Sequence, residues 1–304
     1  MSYFDNQGIL VTGGTGSIGS AIVRRLLKKN VKFIRILSRD VTKQQLLCGE
    51  LNNKRVQFLM GDIRDIDSVS EAVKGADIVI HTAACKHVPA CEESPREAIA
   101  INIDGSLNVL QASLYEGVHA CLAISTDKAC EPASVMGMTK ALMERLFQQY
   151  SWSPMRAICV RSGNVAGSTG SVIPLWKKQI ANGGPITLTD SEMRRFFIPI
   201  EKLVDLVFVA VKEGCPGEIF VPRMPEIYLS DLAEVMTENT DVKIRIVGPR
   251  PGEKLSESII SERELGRTWA RGDYYMITAR GIELPGGRVI GRRRATKAEI
   301  RELL

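Results

Sequence analysis

The chain alternates short apolar runs with longer stretches in which apolar residues recur at helical spacing. Strands that are apolar throughout and joined by helices are typical of a parallel sheet covered on both faces. The pattern therefore predicts an α/β fold, a Rossmann-like doubly wound parallel sheet. The runs that predict its strands are GILVTGG, KFIRILS, RVQFLMGD, ADIVIHTAA, HACLAIST and MRAICVRSGNV. One long helix, PREAIAINIDGSLNVLQASLYEG, is expected to end at Gly117.

The alternation loosens after about residue 164, where segments rich in Gly, Pro and Thr follow. A chain of 304 residues is also longer than a single core usually supports. We expect a dinucleotide-binding domain at residues 1–165, which also takes in about 196–222. A smaller substrate lobe at residues 166–304 would end in a basic tail.

Composition and charge limit the class of protein. Hydrophobic residues make up 44% and charged residues 25%, as in an ordinary soluble globule. The net charge of +5 is too small, and too concentrated near the C-terminus, to indicate nucleic acid binding. No signal segment or long apolar run predicts membrane insertion. The 7 cysteines form no CxxC pair and are interpreted as reduced core thiols, so we expect a cytoplasmic protein without a metal site.

A glycine-rich loop, VTGGTGSIG, joins the first predicted strand to the first helix. Gly13 would permit the tight turn, Gly16 the approach of a pyrophosphate, and Gly19 the close packing of helix on strand. The helix N-terminus would then face the phosphates. This arrangement predicts a dinucleotide site, whose loop also includes Thr15, Ser17 and Ile18.

The end of the second strand, ILSRD, bears on which dinucleotide binds. NAD sites usually place an acidic residue there, but Ser38 and Arg39 occupy the tip and Asp40 comes one residue late. Arg39 could make forked contacts with a 2′-phosphate, although it could also be an exposed loop charge. We expect NADP, with NAD as the alternative. Asp62 and Ile63, after the third strand, would border the adenine ring.

A set of segments carries a family resemblance: TGGTGSIG, HTAACKHVPACE, NIDGSLNVL, STDKACEPASVMGMTK, RSGNVAGSTGSVIPLW, ITLTDSEMRRFFIP and RPGEKLSE. Together they resemble the extended short-chain dehydrogenase/reductases, and more narrowly the UDP-N-acetylglucosamine 4,6-dehydratases of bacterial polysaccharide and glycan synthesis. The likeness runs from the first strand to about residue 260. It implies a lyase with tightly bound NADP that acts on UDP-N-acetylglucosamine or a related UDP-sugar, and a homo-oligomer.

One position departs from the ordinary family pattern. That pattern places a Tyr four residues before a Lys on one helix, and the Tyr takes the proton of the sugar hydroxyl being oxidised. Here Lys140 is present, but Met136 stands in place of the Tyr and cannot exchange a proton. Either the chain is a non-catalytic NADP-binding sensor or scaffold, or another group handles the protons. A branch of the dehydratases resembles this chain in carrying Met there beside a Thr-Asp-Lys run.

The resemblance implies a role for each residue of that run. Lys128 would be the base that removes the C5 proton once C4 is a ketone, Asp127 the acid that protonates the leaving C6 hydroxyl, and Thr126 a hydrogen-bond partner of the C4 oxygen. Burial, the cationic nicotinamide and nearby Lys140 would favour the neutral amine that a base requires. Neighbouring residues on an extended strand face opposite sides, so the chain must turn after Thr126.

The resemblance also implies contacts elsewhere along the chain. Ala83 and Ala84 would allow close approach to the nicotinamide ribose, Lys86 and His87 would lie near the cofactor or the sugar, and Asn102 would brace the cofactor loop. The configuration at C5, any C3 epimerisation, and a UDP-sugar epimerase activity stay open as alternatives. The residues expected to bind the UDP-sugar are Asn164, Val172, Pro174, Thr187, Thr189, Arg195, Arg250 and Glu253.

Overall fold

The first half of the chain alternates strands and helices as its apolar pattern predicts. The computed structural model describes residues 2–249, 252–279 and 293–304. The strands of this first half are β1 Gly8–Thr12, β2 Phe33–Ser38, β3 Val56–Met60, β4 Ile78–His81, β5 Ala120–Thr126 and β6 Arg156–Ser162. Its helices are α1 Ser17–Leu27, α2 Val41–Leu51, α3 Ile66–Val73, α4 Val88–Glu93, α5 Pro95–Ile99, α6 Gly105–Tyr115 and α7 Val135–Gln149.

The second half contains shorter elements. Its strands are β7 Asn164–Val165, β8 Ile186–Leu188, β9 Arg194–Ile198, β10 Ile219–Pro222, β11 Glu226–Tyr228, β12 Ile244–Ile246, β13 Thr268–Arg271 and β14 Tyr274–Ile277. Its helices are α8 Val172–Ala181, α9 Ile200–Glu213, α10 Leu229–Thr237, α11 Glu262–Leu265 and α12 Lys297–Arg301. Within the described ranges, every helix is too short or too polar to span a bilayer.

Within the described ranges, nine strands form the central sheet, in the order β13-β14-β10-β6-β5-β4-β1-β2-β3. Strands from β10 to β3 pair in parallel, whereas β14 and β13 continue the β10 edge in antiparallel pairs. The predicted doubly wound parallel fold is confirmed. The sheet also takes in β13 and β14, which lie in the range expected for the substrate lobe, because their antiparallel hairpin pairs with the edge that β10 leaves free.

Separate apolar cores cover the two faces of this sheet. Helices α1 and α9 contribute Ile22, Leu26, Val204 and Val207 to one core. Helices α3, α6 and α7 contribute residues such as Val69, Leu110, Met143 and Phe147 to the other. A further core, built around Trp176, Phe197 and Leu232, joins α8, β9 and α10. The two faces are therefore both buried, which leaves the carboxyl ends of the parallel strands as the accessible edge.

The long helix expected before Gly117 is continuous but irregular. A π-helical turn, Ala100–Asp104, separates α5 from α6. Such turns are frequent at functional sites because the wider turn changes the direction of a side chain. Asn102 lies within this turn. Gly117 follows the end of the helix with a φ of 73°, the left-handed conformation that glycine adopts without strain.

Candidate functional site

A cleft of about 890 Å³ lies along the carboxyl ends of the parallel strands. Residues that follow β1 to β6 form one wall, and α8, β8, β9 and the segment 252–257 form the other. Small-molecule sites usually have volumes of roughly 300–1,000 Å³, so this cleft is at the large end. The cleft lies at the strand ends beside β1 and β4, where the strand order reverses. Open α/β sheets bind ligands at such a topological switch point.

The glycine-rich loop shapes the first part of the cleft. Gly13 has a φ of 65°, and a Cβ there would lie 2.7 Å from the backbone nitrogen of Ala83. A Cβ on Gly19 would lie 2.5 Å from the Gly13 carbonyl oxygen, whereas one on Gly16 would meet nothing closer than 3.3 Å. Helix α1 begins at Ser17 without a side-chain cap, so its first amides are free of a side-chain acceptor. The loop thus fits a dinucleotide pyrophosphate.

The end of β2 places cations rather than a free carboxylate beside this loop. Asp40 accepts from the backbone nitrogen of Lys43 at 3.0 Å and so caps α2. Arg39 is half-exposed and pairs with Asp62 at 3.3 Å, and its guanidinium lies 3.9 Å from Glu97. Lys43 lines the cleft together with Arg39. Lys43 was not among the residues predicted to line the site, although a cation three residues after the Asp40 helix cap would indicate it.

The loop after β4 is held by the π-helical turn. The Asn102 amide accepts from the backbone nitrogen of Cys85 at 2.8 Å and donates to the Cys85 carbonyl oxygen at 3.0 Å. Lys86 Nζ donates to the carbonyl oxygen of Thr169 at 2.8 Å, and burial lowers the pKa of Lys86. A Cβ on Gly170 would lie 2.7 Å from His87 Cε1. The loop therefore closes against residues 169–170. Its cleft-lining members are Ala83, Ala84, Cys85, Lys86 and His87.

The Thr-Asp-Lys run turns sharply at the end of β5. The strand ends at Thr126, and a 3₁₀ turn covers Asp127–Ala129. Asp127 Oδ1 accepts from Thr126 Oγ1 at 2.9 Å and from Lys128 Nζ at 3.0 Å. Asp127 is fully buried, and its Oδ2 has no hydrogen-bond partner within the described ranges. Thr126 and Lys128 line the cleft, so Asp127 lies directly behind them.

Helix α7 brings Met136 and Lys140 to the same part of the cleft. Met136 packs in a small apolar cluster with Cys91 and Ala98. Lys140 Nζ donates to the carbonyl oxygen of Ile124 at 2.6 Å. Burial lowers the pKa of Lys140 to about 8. This amine is therefore easier to deprotonate than an exposed lysine.

The opposite wall contains most of the residues expected to bind the UDP-sugar. Arg195 is buried, and its Nη1 donates to the carbonyl oxygens of Arg194 at 2.8 Å and Leu255 at 3.3 Å. Pro174, in the first turn of α8, is not part of the cleft lining. Arg250 lies outside the described residues. The predicted residues on this wall are Val172, Thr187, Thr189, Arg195 and Glu253, and Asn164 lines the cleft from the first wall, after β6.

Glu257 also lines the cleft and was not identified from the sequence. Its Oε1 lies 3.5 Å from Lys128 Nζ, and its Oε2 lies 3.3 Å from Lys254 Nζ. The only local signal was a second Glu four residues after Glu253, in EKLSE. The pairing with Lys128 joins positions 129 residues apart in the chain (257 − 128), which no local pattern reports.

The fold and the cleft together define a Rossmann-fold protein with a dinucleotide-type loop and an Asp–Lys ion pair at the end of β5. The chain belongs to the polysaccharide biosynthesis protein family, which it matches over residues 9–279. It is 42% identical over 291 residues to a UDP-glucose 4-epimerase of Rickettsia bellii, across 92% of this chain and 85% of that protein.

Solved structures with the same fold include two relatives. Pen from Bacillus thuringiensis superposes with a TM-score of 0.93 at 36% identity, covering 99% of this chain and 98% of Pen. DesIV, a dTDP-glucose 4,6-dehydratase from Streptomyces venezuelae solved with NAD bound, gives a TM-score of 0.78 at 25% identity. That superposition covers 85% of this chain and 91% of DesIV.

Proposed function

We propose that the protein is an NADP-dependent UDP-N-acetylglucosamine 4,6-dehydratase, a lyase that gives a UDP-4-keto-6-deoxy-N-acetylhexosamine for surface polysaccharide or glycan synthesis. The observation that carries the proposal is the Asp127–Lys128 pair, 3.0 Å apart, at the cleft end of β5. Dehydration needs an acid and a base beside the sugar, whereas dinucleotide binding alone needs neither. The dehydratase DesIV supports the same class of reaction, and the family supports a place in polysaccharide synthesis.

The residues around the cleft would hold the dinucleotide along the sheet. Gly13, Gly16 and Gly19 would receive the pyrophosphate, Arg39 would face the adenosine phosphate, and Lys140 would lie at the nicotinamide end; all of them line the cleft. A bound nicotinamide dinucleotide supplies the hydride acceptor for oxidation at C4 and the hydride donor for reduction at C6.

Oxidation at C4 releases a hydroxyl proton, and Met136 cannot take it. We propose that the Thr126 hydroxyl relays this proton to Asp127, to which it already donates a hydrogen bond of 2.9 Å. Asp127 then holds this proton and, because Thr126 separates it from the cleft, returns it through the Thr126 hydroxyl to the C6 hydroxyl, which leaves as water. Asp127 gains one proton from the C4 hydroxyl and gives one proton to the leaving C6 hydroxyl. It therefore ends the cycle as a carboxylate, as it began.

Lys128 handles the remaining proton. The neutral amine takes the C5 proton, which is acidic next to the C4 ketone, and the ammonium returns a proton to C5 after the C6 hydroxyl has left. The amine lines the cleft with 19% of its side chain exposed, so it can face a bound hexose. The face from which it returns the proton decides between retention and inversion at C5.

The test is incubation of the purified protein with UDP-N-acetylglucosamine in deuterated water, followed by NMR. We expect a new C6 methyl group and deuterium at C5. Lys128→Ala and Asp127→Asn should abolish both signals while the dinucleotide stays bound, and Lys54→Ala, at an exposed lysine, should leave turnover unchanged. Substantial dehydration by either active-site variant, or silence of the wild-type protein, would overturn the proposal.

A UDP-sugar 4-epimerase is the second candidate, favoured by the name of the Rickettsia bellii relative. An epimerase inverts C4 without breaking bonds at C5 or C6. The same NMR experiment would then show a C4 epimer with neither deuterium at C5 nor a methyl group. A protein that binds the dinucleotide without any turnover would instead be a sensor or scaffold.

Homo-oligomerisation remains a prediction. Helices α6 and α7 expose apolar side chains, among them Leu114, Tyr115, Met138 and Leu142. Static light scattering on the purified protein measures the state directly.

A further inference from the structure

Glu257 is a buried carboxylate on the substrate side of the cleft. It is 3% exposed. Its Oε1 lies 3.5 Å from Lys128 Nζ. Its Oε2 lies 3.3 Å from Lys254 Nζ without hydrogen-bond geometry, and has no hydrogen-bond partner within the described ranges. Lys128 therefore lies between the Asp127 and Glu257 carboxylates.

The segment that carries Glu257 is anchored on both sides of it. Lys254 Nζ donates to the carbonyl oxygen of Cys130 at 3.1 Å, and the Leu255 carbonyl oxygen accepts from the backbone nitrogen of Arg194 at 2.7 Å. Beyond Glu257, the Ile259 carbonyl oxygen accepts from the buried Arg161 at 2.9 Å. These contacts fix the backbone near Glu257, so its carboxylate approaches Lys128 from a rigid support.

A buried carboxylate costs stability unless it is paired and hydrogen-bonded, and an apolar residue of similar size would often serve the fold as well. Glu257 is only partly satisfied, because one oxygen lacks a hydrogen bond. Its pairing with Lys128 therefore points to the chemistry of the cleft rather than to the stability of the fold.

The proposed proton transfers leave Glu257 to stabilise the protonated form of Lys128. When Asp127 has accepted the C4 hydroxyl proton, it no longer carries a charge that can stabilise an ammonium. Lys128 becomes an ammonium in the next step, as it takes the C5 proton. Glu257 is then the remaining carboxylate within 4 Å of Lys128 Nζ among the described residues.

We propose that Glu257 is a positioning residue for Lys128, which orients the amine toward C5 and stabilises the ammonium formed when the C5 proton is taken. This inference rests on the proposed 4,6-dehydratase function. Glu257 acts as the carboxylate behind a catalytic base does in other enzymes, by orienting the base and stabilising its protonated form.

The test compares Glu257→Gln with Glu262→Gln, a matched change at an exposed glutamate of the neighbouring helix α11. We expect Glu257→Gln to lower kcat at least about 10-fold. This loss would be a part of the roughly 10²–10⁴-fold rate enhancement that a general base contributes. KM and dinucleotide content should change little. The low-pH limb of kcat/KM should move to lower pH, because an amine that loses a nearby carboxylate gives up its proton more readily. Glu262→Gln should match the wild-type protein.

A second variant tests whether the Glu257 charge acts on Lys128 or Glu257 only holds Lys254 in place. Lys254→Met removes a cation near Lys128 but keeps Glu257, so its low-pH limb should move to higher pH, opposite to Glu257→Gln. Glu257→Asp, which keeps the charge, should return the limb toward the wild-type position. It also supplies the comparison should Glu257→Gln not fold, as judged by its melting temperature.

The outcomes separate this inference from the function on which it rests. A wild-type protein that does not dehydrate the UDP-sugar contradicts the proposed function. If the wild-type protein dehydrates the UDP-sugar but Glu257→Gln leaves the low-pH limb at the wild-type position, only the role of Glu257 is overturned. Equal shifts in the same direction for Glu257→Gln and Lys254→Met would also overturn it, because they would indicate a purely structural ion pair.

Discussion

Gly137 and Lys128 meet backbone to backbone: a Cβ built on Gly137 would lie 2.3 Å from the carbonyl oxygen of Lys128. No side chain fits at that distance. Gly137 lies in the first turn of α7, and Lys128 lies in the 3₁₀ turn that follows β5. This contact lets the helix that carries Lys140 pack directly on the turn that carries the Asp127–Lys128 pair.

Gly137→Ala should therefore displace the catalytic turn. In a helix, Ala normally stabilises relative to Gly by about 0.5–1 kcal/mol, but here its methyl group has no room. We expect a lower melting temperature and a kcat reduced at least about 10-fold, because misplacement by ~1 Å can cost 10²-fold. Gly49→Ala is the matched control, since α2 leaves open space around Gly49. It should raise the melting temperature without changing kcat, and equal behaviour of the two variants would contradict the packing argument.

Removing the Thr126 hydroxyl should interrupt the proton path from the C4 oxygen to Asp127. We expect Thr126→Val to lower kcat about 10²-fold or more, the scale of an acid–base contribution. Thr126→Ser keeps the hydroxyl and should retain most of the activity. Stopped-flow measurement of reduced nicotinamide would show the Val variant slowed at C4 oxidation, before the C5 step. A Val variant that oxidises C4 at the wild-type rate would show that another group takes this proton.

The cations beside the glycine-rich loop should select NADP over NAD. Arg39, Asp40 and Lys43 all line the cleft, but the Asp40 carboxylate is engaged in capping α2 and in an ion pair with Lys43 Nζ at 3.0 Å. A hydrogen bond to a charged group is worth about 1.5–3 kcal/mol, or roughly 10- to 100-fold in Kd. Arg39→Ala and Lys43→Ala should each weaken NADP binding by this factor and leave NAD binding unchanged. Calorimetry on protein freed of dinucleotide measures both, and equal losses for the two dinucleotides would argue against a 2′-phosphate site.

Much of the fold was predictable because its signals are local. Each apolar run in the first half became a strand, since a strand buried on both faces must be apolar throughout. The spacing of Gly13, Gly16 and Gly19 predicts a turn after β1, and these glycines line the cleft. The required turn after Thr126 also followed from local geometry, because side chains on a strand alternate sides.

The remaining features depend on contacts between distant parts of the chain. The pairing of Glu257 with Lys128 depends on the position of residues 252–257 along the cleft, which no local sequence pattern indicates. The antiparallel addition of β13 and β14 to the β10 edge has the same origin. The burial of Asp127 behind Thr126 also emerges only from packing, and it is what suggests a relay through the hydroxyl.

His81 should make the protein acid-sensitive in a defined pH range. Its Nδ1 lies 2.7 Å from Thr12 Oγ1 and its Nε2 lies 3.0 Å from Ser106 Oγ. Burial, with a smaller effect of the Lys140 charge, lowers the pKa of His81 to about 3. The unfolded chain has a histidine pKa of about 6.5, so below that pH the unfolded state binds a proton that the native state does not.

The free energy of unfolding should therefore fall as the pH drops from about 6.5 toward 3, by up to about 1.4 kcal/mol per pH unit from this group. Urea unfolding between about pH 6.5 and 5 avoids the Glu264 carboxyl, where burial opposes ionisation but hydrogen bonds from Arg161 outweigh it and bring the pKa to about 2. Burial also lowers the pKa of His119, so the contribution of His81 is the difference between the wild-type protein and His81→Asn. His81→Asn keeps a polar side chain that does not titrate. It should reduce the slope of the unfolding free energy against pH by the equivalent of about one bound proton. Parallel curves for the variant and the wild-type protein would mean that His81 is protonated within the fold.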